Sequence, residues 1–257
     1  MSDNLMQDKV VVVTGAASGI GLAVAERFAA EGAKIVISDI QAEAGSAVAQ
    51  RLNGLFVEGD LSRRTDCKAL IYHAIEEFDT IHVLVNNAGF QHINPIDEFH
   101  EDIWDKMIAL MLTAPFLLTR YAWPFMKKQK WGRVINIASV HAVRASPFKS
   151  AYISAKHGLL GLTRTTALEG GPHGITVHAI CPAYVRTPLV EKQIAAQART
   201  RGISEEQVVE EVMLKPAAIK RLVEPAEVAG LAAFLCRDEA SAMSGSPLMI
   251  DLGWTAG

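Results

Sequence analysis

The chain has 257 residues, of which 50% are hydrophobic and 21% are charged, a composition typical of packed globular domains. Its net charge is −3 with both signs interspersed, so we expect no nucleic-acid partner. The N-terminus is polar and no apolar run approaches roughly 20 residues, so we expect neither a signal peptide nor a membrane partner. Cys67, Cys181 and Cys236 lie far apart and the histidines form no metal-ligand motif, so we expect reduced thiols, a cytoplasmic location and no metal.

Short apolar runs rich in β-branched residues alternate with longer helical stretches along most of the chain. Continuous apolar strands are typical of strands buried on both faces, and the alternation with helices predicts a parallel sheet with right-handed crossovers. No linker divides the chain, so we predict a single α/β domain over residues 1–257: a doubly wound, Rossmann-type parallel sheet with helices on both faces. The predicted strands are 9–14, 34–39, 55–59, 83–86, 133–138, 176–182 and 248–251, and the predicted helices are 19–31, 41–52, about 66–78, one or two between 86 and 133, and 151–169.

Residues from about 188 to 216 interrupt this alternation, because they are helical in pattern and polar. They follow the sixth predicted strand, so they would lie near the carboxyl ends of the strands, where open α/β sheets bind ligands. We therefore predict that this stretch is a small helical lid.

A glycine-rich stretch, Thr14 to Gly21, follows the first strand directly. Glycines at 15, 19 and 21 let the backbone turn tightly and approach a pyrophosphate, and the helix that follows directs its free amides at that charge. Asp39 ends the second strand, where a carboxylate can accept both ribose hydroxyls of an adenosine and repel a 2′-phosphate. No basic residue stands nearby to bind that phosphate, which favours NAD over NADP. The alternative is that Asp39 only caps the next helix.

The spacing Gly-x-x-x-Gly-x-Gly resembles the short-chain dehydrogenase/reductase family, and the likeness extends over nearly the whole chain. Asp60-Leu61, Asn86-Asn87-Ala88-Gly89, Tyr152-Ile-Ser-Ala-Lys156 and the segment Pro182 to Thr187 are similar to motifs of that family in their order and spacing. The resemblance implies that NAD is the cofactor. The cofactor-binding residues it implies are Thr14, Gly15, Ser18, Gly19, Ile20, Gly21, Asp39, Asp60, Leu61, Asn87, Ala88, Gly89, Tyr152, Lys156, Pro182, Val185 and Thr187.

Ser139, Tyr152 and Lys156 form the predicted catalytic group. Tyr152 and Lys156 are four residues apart in a predicted helix and therefore share one face. A neighbouring ammonium and the positive nicotinamide ring would both lower the pKa of the phenol, so that Tyr152 can take the proton of an alcohol while hydride leaves. Ser139, at the end of the fifth strand, can hydrogen-bond the reacting oxygen. The alternative is a tyrosine and a lysine on an ordinary helix surface.

Met111 is included among the catalytic positions because it stands where the family generally has an asparagine, whose side chain is thought to help hold a water linked to the lysine. Pro115 has no amide hydrogen, so the carbonyl of Met111 loses its usual helical partner and can accept a hydrogen from water. We therefore hypothesise that the main chain at Met111 replaces the missing side chain. Two alternatives stay open: Met111 marks a loss of activity, or it fills core space.

Several more particular stretches resemble the bacterial D-3-hydroxybutyrate dehydrogenases within this family. That resemblance implies a pocket for the carboxylate of a small 3-hydroxy acid, where charge-assisted donors are needed. The chain departs from the pattern at two places: Ala183-Tyr184 replaces Gly-Trp, and Leu252 replaces a glycine. Alternative roles are packing for His141, solvation for Lys149, and dependence on closure for Gln193. The implied substrate-binding residues are Gln91, Ser139, His141, Lys149, Tyr152 and Gln193.

The leading prediction is thus an NAD-dependent oxidoreductase that interconverts D-3-hydroxybutyrate and acetoacetate. The alternatives are a short-chain dehydrogenase for another small alcohol or ketone, and a catalytically weak NAD-binding regulatory protein. The helices near 104–127 and 151–169 are apolar on more than one side, which predicts a homo-oligomer. The family resemblance implies a homotetramer.

Overall fold

The computed structural model describes residues 6–256, without the side chains of residues 196, 197, 200 and 201. Seven strands form one sheet in the order β3-β2-β1-β4-β5-β6-β7, and every neighbouring pair is parallel. This is the Rossmann-type arrangement that the sequence predicts. The strands are β1 Val10–Thr14, β2 Lys34–Asp39, β3 Leu55–Glu58, β4 Val83–Asn86, β5 Gly132–Ile137, β6 Ile175–Pro182 and β7 Pro247–Ile250.

Helices cover both faces of the sheet. One apolar core contains Val24 and Phe28 of the first helix and Val228 of the last, and the other contains Leu70 and Leu117 of the third and fifth helices. The central strands contribute to both cores, which is why they are apolar at every position. The helices are α1 Gly19–Ala30, α2 Ala42–Arg51, α3 Arg64–Phe78, α4 Glu101–Ile108, α5 Ala114–Lys128, α6 Ser150–Gly170, α7 Pro188–Arg201, α8 Glu205–Gln207 and α9 Pro225–Phe234.

Helix α9 has no counterpart among the predicted elements. It packs along α1 and begins with Pro225 after Glu224, where Glu227 completes a capping box. A proline at the first helical position and an acid three residues after the cap are start signals that sequence alone can supply. They were the available evidence for this helix, and the interpretation of the sequence did not use them.

The carboxyl ends of the strands lie at one edge of the sheet. The strand order reverses between β1 and β4, since the chain continues from β1 to β2 on one side and from β4 to β5 on the other. Residues 188–216 lie between β6 and α9 and contain α7, α8 and a π-helical turn at Val208–Met213, so the helical content predicted there is present. Val190, Ile194, Val208 and Met213 form a small apolar core of their own. None of the described helices combines the length and the apolar composition that a bilayer crossing requires.

Histidines whose pKa values are lowered by burial make the stability of this fold sensitive to acid. Burial and nearby Lys9 lower the pKa of His82 to about 4, and burial and nearby Arg133 do the same for His178. The unfolded chain binds a proton at each near pH 6.5, so the stabilising contribution is complete above that pH and is lost as the pH falls towards 4. Each histidine should contribute on the order of 2–3 kcal/mol to this loss.

Urea unfolding between pH 7 and pH 4.5 would measure this dependence. We expect the free energy of unfolding to fall with pH. His178→Leu should remove about a third of the slope, because burial lowers the pKa values of His82 and His141 to about 4 as well. His73→Leu is the matched control, because His73 is exposed on α3 and should leave the slope unchanged. A free energy that does not vary over this range would contradict the assignment.

Candidate active site

A single cleft of about 460 Å³ runs along the carboxyl edge of the sheet, from the glycine loop at one end to Trp254 at the other. Among the predicted catalytic, coenzyme and substrate residues, all except Thr14 and Gly21 line this cleft. The two halves of the predicted site therefore belong to one continuous space, which a reaction between two ligands requires.

The glycine loop has the shape that close approach of a ligand backbone demands. Gly15 and Gly19 have φ angles of +64° and +58°, which side chains rarely adopt. A Cβ atom on Gly15 would lie 2.9 Å from the Cα of Ala88, and one on Gly19 would lie 3.2 Å from Cγ2 of Thr187 across the cleft. The loop ends at Ser18, the N-cap of α1, so the free amides of that helix point at the same space. This cradle fits the pyrophosphate of a dinucleotide.

Thr14 and Gly21 act behind the loop instead of inside the cleft. The Thr14 hydroxyl accepts hydrogen bonds from the amides of Asn87 and Ala88, and the Asn87 side chain donates to the carbonyls of Thr14 and Gly15. These bonds join the ends of β1 and β4. A Cβ on Gly21 would collide with the Gly15 carbonyl, so this glycine permits close packing of α1 against the loop.

Asp39 is buried at the end of β2. Its Oδ2 accepts a hydrogen bond of 3.0 Å from the amide of Ala17, and its Oδ1 accepts one of 3.0 Å from the amide of Gln41. The carboxylate therefore does hold the start of α2, as the capping alternative proposed. Oδ1 also accepts a hydrogen bond of 3.4 Å from the side-chain amide of Gln41. An ionised carboxylate has about four acceptor positions, so one remains, on Oδ2, for a ribose hydroxyl, and both roles are compatible.

Asp60 and Lys106 line the cleft together, where the sequence predicts the adenine. The Lys106 ammonium lies 3.5 Å from Oδ2 of Asp60, and Ser62 donates its amide and hydroxyl hydrogens to Oδ1. Burial raises the pKa of Asp60, but the hydrogen bonds from Ser62 and the charge of Lys106 outweigh burial and hold the pKa below its ordinary value. Lys106 is a site residue that the sequence interpretation missed, because it lies on α4, far from any dinucleotide motif.

Ser139, Tyr152 and Lys156 converge where β5 ends and α6 begins. Ser139 accepts a hydrogen bond of 3.2 Å from the amide of His141, and its side chain is also hydrogen-bonded to Tyr152. Lys156 is buried and donates a hydrogen bond of 2.7 Å to the carbonyl of Ile137. Its Nζ lies 5.6 Å from the centre of the Tyr152 ring. The structure therefore brings the three predicted catalytic side chains together in the cleft.

The pKa of Tyr152 differs from the sequence-based expectation in the ligand-free protein. Burial raises it, and the hydrogen bond to Ser139 only partly offsets burial. Burial also lowers the pKa of Lys156 to about 8, which weakens the ammonium as a source of positive charge. Lys156 alone therefore does not make the phenol acidic, and the predicted activation depends on the additional positive charge of a bound nicotinamide ring.

Met111 lies within a π-helical turn, Ala109–Thr113, that joins α4 to α5. The amide of Ala114 bonds to the carbonyl of Ala109, five residues back, and Pro115 has no amide. The carbonyl of Met111 therefore lacks its α-helical partner, as predicted, and the carbonyl of Leu110 lacks both its α-helical and its π-helical partner. Such turns are frequent at functional sites.

The side chain of Met111 fills core space. It is 1% exposed, and a Cβ on Gly89 would lie 3.1 Å from its sulphur. It packs in a small cluster with Met107, Ala151 and Ala155. Packing is therefore the role that the geometry gives to the side chain, while the main-chain hypothesis continues to rest on the two carbonyls.

We expect Met111→Asn to raise kcat by less than about tenfold, because the Leu110 carbonyl, which has neither helical partner, and the Met111 carbonyl, which has no α-helical partner, can accept hydrogen bonds from water. The variant should lose roughly 1–3 kcal/mol of stability, since it buries an amide in an apolar cluster. Steady-state kinetics and urea unfolding would measure both effects. Met107→Asn is the matched control for burial of an amide, because Met107 lies in the same cluster outside the cleft. A gain of several orders of magnitude would show that the carbonyls do not suffice.

The far end of the cleft is built around the buried ammonium of Lys149. It lies 3.3 Å from Nε2 of His141 and donates a hydrogen bond of 3.4 Å to the Tyr184 hydroxyl. Burial, followed by the charge of Lys149, lowers the pKa of His141 to about 4, so the imidazole is neutral at pH 7. An ammonium can only donate, so Nε2 of His141 accepts and Nδ1 carries the proton. Nδ1 is buried without a partner among the described residues.

Gln91 and Gln193, the two predicted amide donors, also line the cleft. The side-chain oxygen of Gln91 accepts a hydrogen bond of 3.1 Å from the amide of His92, which leaves its nitrogen as the donor end. Gln193 is half-buried on α7 and lines the cleft together with Val190. Because Gln193 lies on α7, its distance from a bound substrate depends on the position of that helix.

Trp254 forms a wall of the cleft that the sequence interpretation did not assign. Its ring stacks on Tyr184 at 5.7 Å with an interplanar angle of 23° and meets His141 edge-on at 5.8 Å. The turn before it is held by Asp251, which accepts hydrogen bonds from the amides of Gly253 and Thr255. Trp254 lies far along the chain from His141 and Tyr184, so sequence spacing could not predict these contacts.

The backbone conformation at Leu252 is one that favours glycine, the residue expected at this position. Its φ is +56°, in the left-handed region, so the tight C-terminal turn keeps a glycine-like backbone although the residue is leucine. Its carbonyl accepts the amides of Ala218 and Ile219, which anchors the chain that leaves the helical segment 188–216. The departure from the family pattern therefore leaves the turn intact.

Comparison with known proteins gives concordant matches. A family model described as enoyl-(acyl carrier protein) reductase matches residues 15–255. The chain is 46% identical over 255 residues to the D-beta-hydroxybutyrate dehydrogenase of Rhizobium meliloti, covering 96% of this chain and 99% of that protein. It is 42% identical over 257 residues to the D-beta-hydroxybutyrate dehydrogenase of Cupriavidus necator, covering 98% and 100%. An uncharacterized oxidoreductase of Bacillus subtilis is 41% identical over 256 residues, covering 98% and 100%.

Proposed function

Because the chain belongs to the short-chain dehydrogenase/reductase family of oxidoreductases, we propose that it transfers hydride between NAD and a small 3-hydroxy acid. The substrate pair we propose is D-3-hydroxybutyrate and acetoacetate. Two relatives at 46% and 42% identity carry the name D-beta-hydroxybutyrate dehydrogenase, which supports this choice. The geometry of the cleft supports it independently.

The observation that carries the proposal is the buried charge of Lys149. Its residue is 9% exposed, and its two polar contacts are a neutral imidazole and a neutral hydroxyl. No carboxylate among the described residues forms an ion pair with it. Burying a cation without an anion is unfavourable unless a ligand supplies the anion. A substrate carboxylate would complete this site, and a neutral alcohol would not.

The residues that would hold NAD follow the cleft in order. The glycine loop fits the pyrophosphate, Asp39 keeps an acceptor position on Oδ2 for a ribose hydroxyl, and Asp60 with Leu61 would border the adenine. Pro182, Val185 and Thr187 line the same cleft, and Thr187 faces Gly19 of the loop. The buried carboxylate of Asp39 would repel the 2′-phosphate of NADP, which supports NAD as the cofactor.

The chain's own residues supply the proton chemistry, while bound NAD would supply the hydride acceptor. Ser139 and Tyr152 hold the reacting oxygen, and Tyr152 removes the hydroxyl proton in oxidation and returns it in reduction. Lys156 is fixed by the Ile137 carbonyl next to the phenol. Leu110 lines the cleft, and its carbonyl, which has neither helical partner, would offer an acceptor for a water that carries the proton away.

A steady-state assay with D-3-hydroxybutyrate and NAD, followed by NADH absorbance, tests the proposal directly. We expect turnover with NAD to exceed that with NADP, and turnover of the acid to exceed that of 2-butanol, which lacks the carboxylate. Activity on 2-butanol alone would favour a dehydrogenase for another small alcohol. Binding of NAD without turnover of either alcohol would favour a regulatory role.

We propose further that residues 188–216 act as a lid, that the protein is cytoplasmic, and that it forms a homotetramer. Val190 and Gln193 of α7 line the cleft, which supports the lid.

Three buried free thiols suit a reducing compartment, which supports the cytoplasmic location. Phe116 on α5 and Leu168 on α6 are 44% and 82% exposed, which supports a subunit contact on these helices. Light scattering would measure the mass, and a monomer would contradict the assembly.

A further inference from the structure

Tyr184 is held firmly at the carboxylate end of the cleft. Its ring stacks on Trp254 and packs against the apolar core formed by Val190, Ile194, Val208 and Met213. Its carbonyl accepts a hydrogen bond of 2.9 Å from the amide of Val223. Ring and backbone are therefore restrained from separate sides, so the position of the hydroxyl is restrained as well.

The Tyr184 hydroxyl already contacts the cation that the substrate would need. It accepts a hydrogen bond of 3.4 Å from the Lys149 ammonium, and the ammonium also lies 5.6 Å from the centre of the Tyr184 ring. A phenol oxygen that accepts one hydrogen bond still has its own hydrogen to donate. Among the described residues, no acceptor for that hydrogen is within hydrogen-bond distance.

We propose that Tyr184 is a substrate-binding residue whose hydroxyl donates a hydrogen bond to the carboxylate of an acid substrate held by Lys149. An oxygen bound by the ammonium at an ordinary distance of about 2.8 Å can also lie about 2.7 Å from a hydroxyl 3.4 Å away from that ammonium. The two donors then hold the carboxylate together. This inference rests on the proposed function and adds a residue that selects acids.

The hydroxyl of Tyr184 would make the cleft selective for acids, which the ring alone would not. A ring stacked on Trp254 would contribute an apolar wall, which favours neutral and acidic substrates alike. A hydroxyl that donates to a carboxylate favours the acid only, and it also holds Lys149 in place before the substrate arrives. The substitution of tyrosine for the expected tryptophan therefore keeps the wall and adds a donor.

Tyr184→Phe tests the proposal, because it removes the hydroxyl and keeps the ring. We expect the KM for D-3-hydroxybutyrate to rise roughly tenfold, the size of a lost hydrogen bond to a charged group, with kcat and the KM for NAD within about twofold. The KM for 2-butanol should not change. Tyr121→Phe is the matched control, since Tyr121 lies on α5 outside the cleft. An unchanged KM for the acid would overturn the proposal, and so would an equal loss with NAD or 2-butanol, which indicates a structural role.

Binding of butyrate to the NAD-loaded protein separates this proposal from the proposed function. Butyrate has the carboxylate and no hydroxyl to oxidise, so calorimetry reports carboxylate binding whether or not the protein turns over hydroxybutyrate. We expect Tyr184→Phe to weaken butyrate binding by the same factor as it raises the KM. In a Lys149→Met background, the effect of Tyr184→Phe should shrink, because both groups act on one carboxylate. Undiminished butyrate binding in Tyr184→Phe would overturn the role of the hydroxyl even if the oxidoreductase activity is confirmed.

Discussion

Replacing Tyr152 by phenylalanine is expected to lower kcat for alcohol oxidation by about 10²- to 10⁴-fold, the usual contribution of a positioned general acid or base. The ring would remain in its place between Ser139 and Lys156, and only the proton acceptor would be lost. Binding of NAD should change little, since the glycine loop and Asp39 stay intact. Stopped-flow or steady-state assays with D-3-hydroxybutyrate would measure the loss.

The control for this variant is Tyr72→Phe, which removes an exposed hydroxyl on α3 and should leave kcat unchanged. Fluorescence titration with NADH should give similar dissociation constants for wild type and Tyr152→Phe. If alcohol oxidation continued at the wild-type rate in Tyr152→Phe, the phenol could not be the base, and the proposed mechanism would be wrong. A parallel loss of NADH binding would instead show that the ring supports the coenzyme site.

The electrostatics of this group explain why the coenzyme site and the catalytic site must be one cleft. In the ligand-free protein, burial keeps the pKa of Tyr152 above its ordinary value and that of Lys156 at about 8, so neither residue alone favours the phenolate. A neutral phenol is the proton donor that reduction of a ketone needs. For oxidation, extra positive charge is required close to the phenol, and the space lined by Pro182 and Val185 is where a nicotinamide ring would bring it.

The sheet could be predicted from the sequence because its signals are local. Continuous apolar runs gave all seven strands within about one residue of their observed bounds, and the glycines at 15, 19 and 21 gave the loop. The order β3-β2-β1-β4-β5-β6-β7 confirms the predicted doubly wound sheet. Helix α9 was missed although its start signals are local, so that omission reflects interpretation and not a lack of information.

Contacts between distant parts of the chain could not be predicted in the same way. Lys149, Tyr184 and Trp254 belong to different elements, and their meeting depends on the tertiary structure of the C-terminal turn. The π turn before Pro115 depends on how α4 and α5 pack, so the sequence indicated a free carbonyl at Met111 but not the second one at Leu110. The pKa of Tyr152 depends on burial, which residue spacing does not report.

Lys149→Met is expected to raise the KM for D-3-hydroxybutyrate by about 30- to 700-fold, equivalent to roughly 2–4 kcal/mol for the loss of one partner of a buried charge pair. Methionine keeps most of the apolar stem and removes the ammonium, so packing against Tyr184 should largely persist. The KM for 2-butanol should stay the same or fall, because the variant no longer buries an unpaired cation in the empty cleft.

Stability gives a second and independent measure of the same charge. Since Lys149 is buried with neutral partners alone among the described residues, Lys149→Met should unfold at an equal or higher urea concentration than wild type in the absence of ligand. Lys192→Met is the matched control, because Lys192 is an exposed neighbour on α7 and should alter neither the KM nor the stability. An equal rise of KM for acid and neutral alcohol would show that Lys149 shapes the cleft instead of binding the carboxylate, and an acid substrate would then lose its main support in the structure.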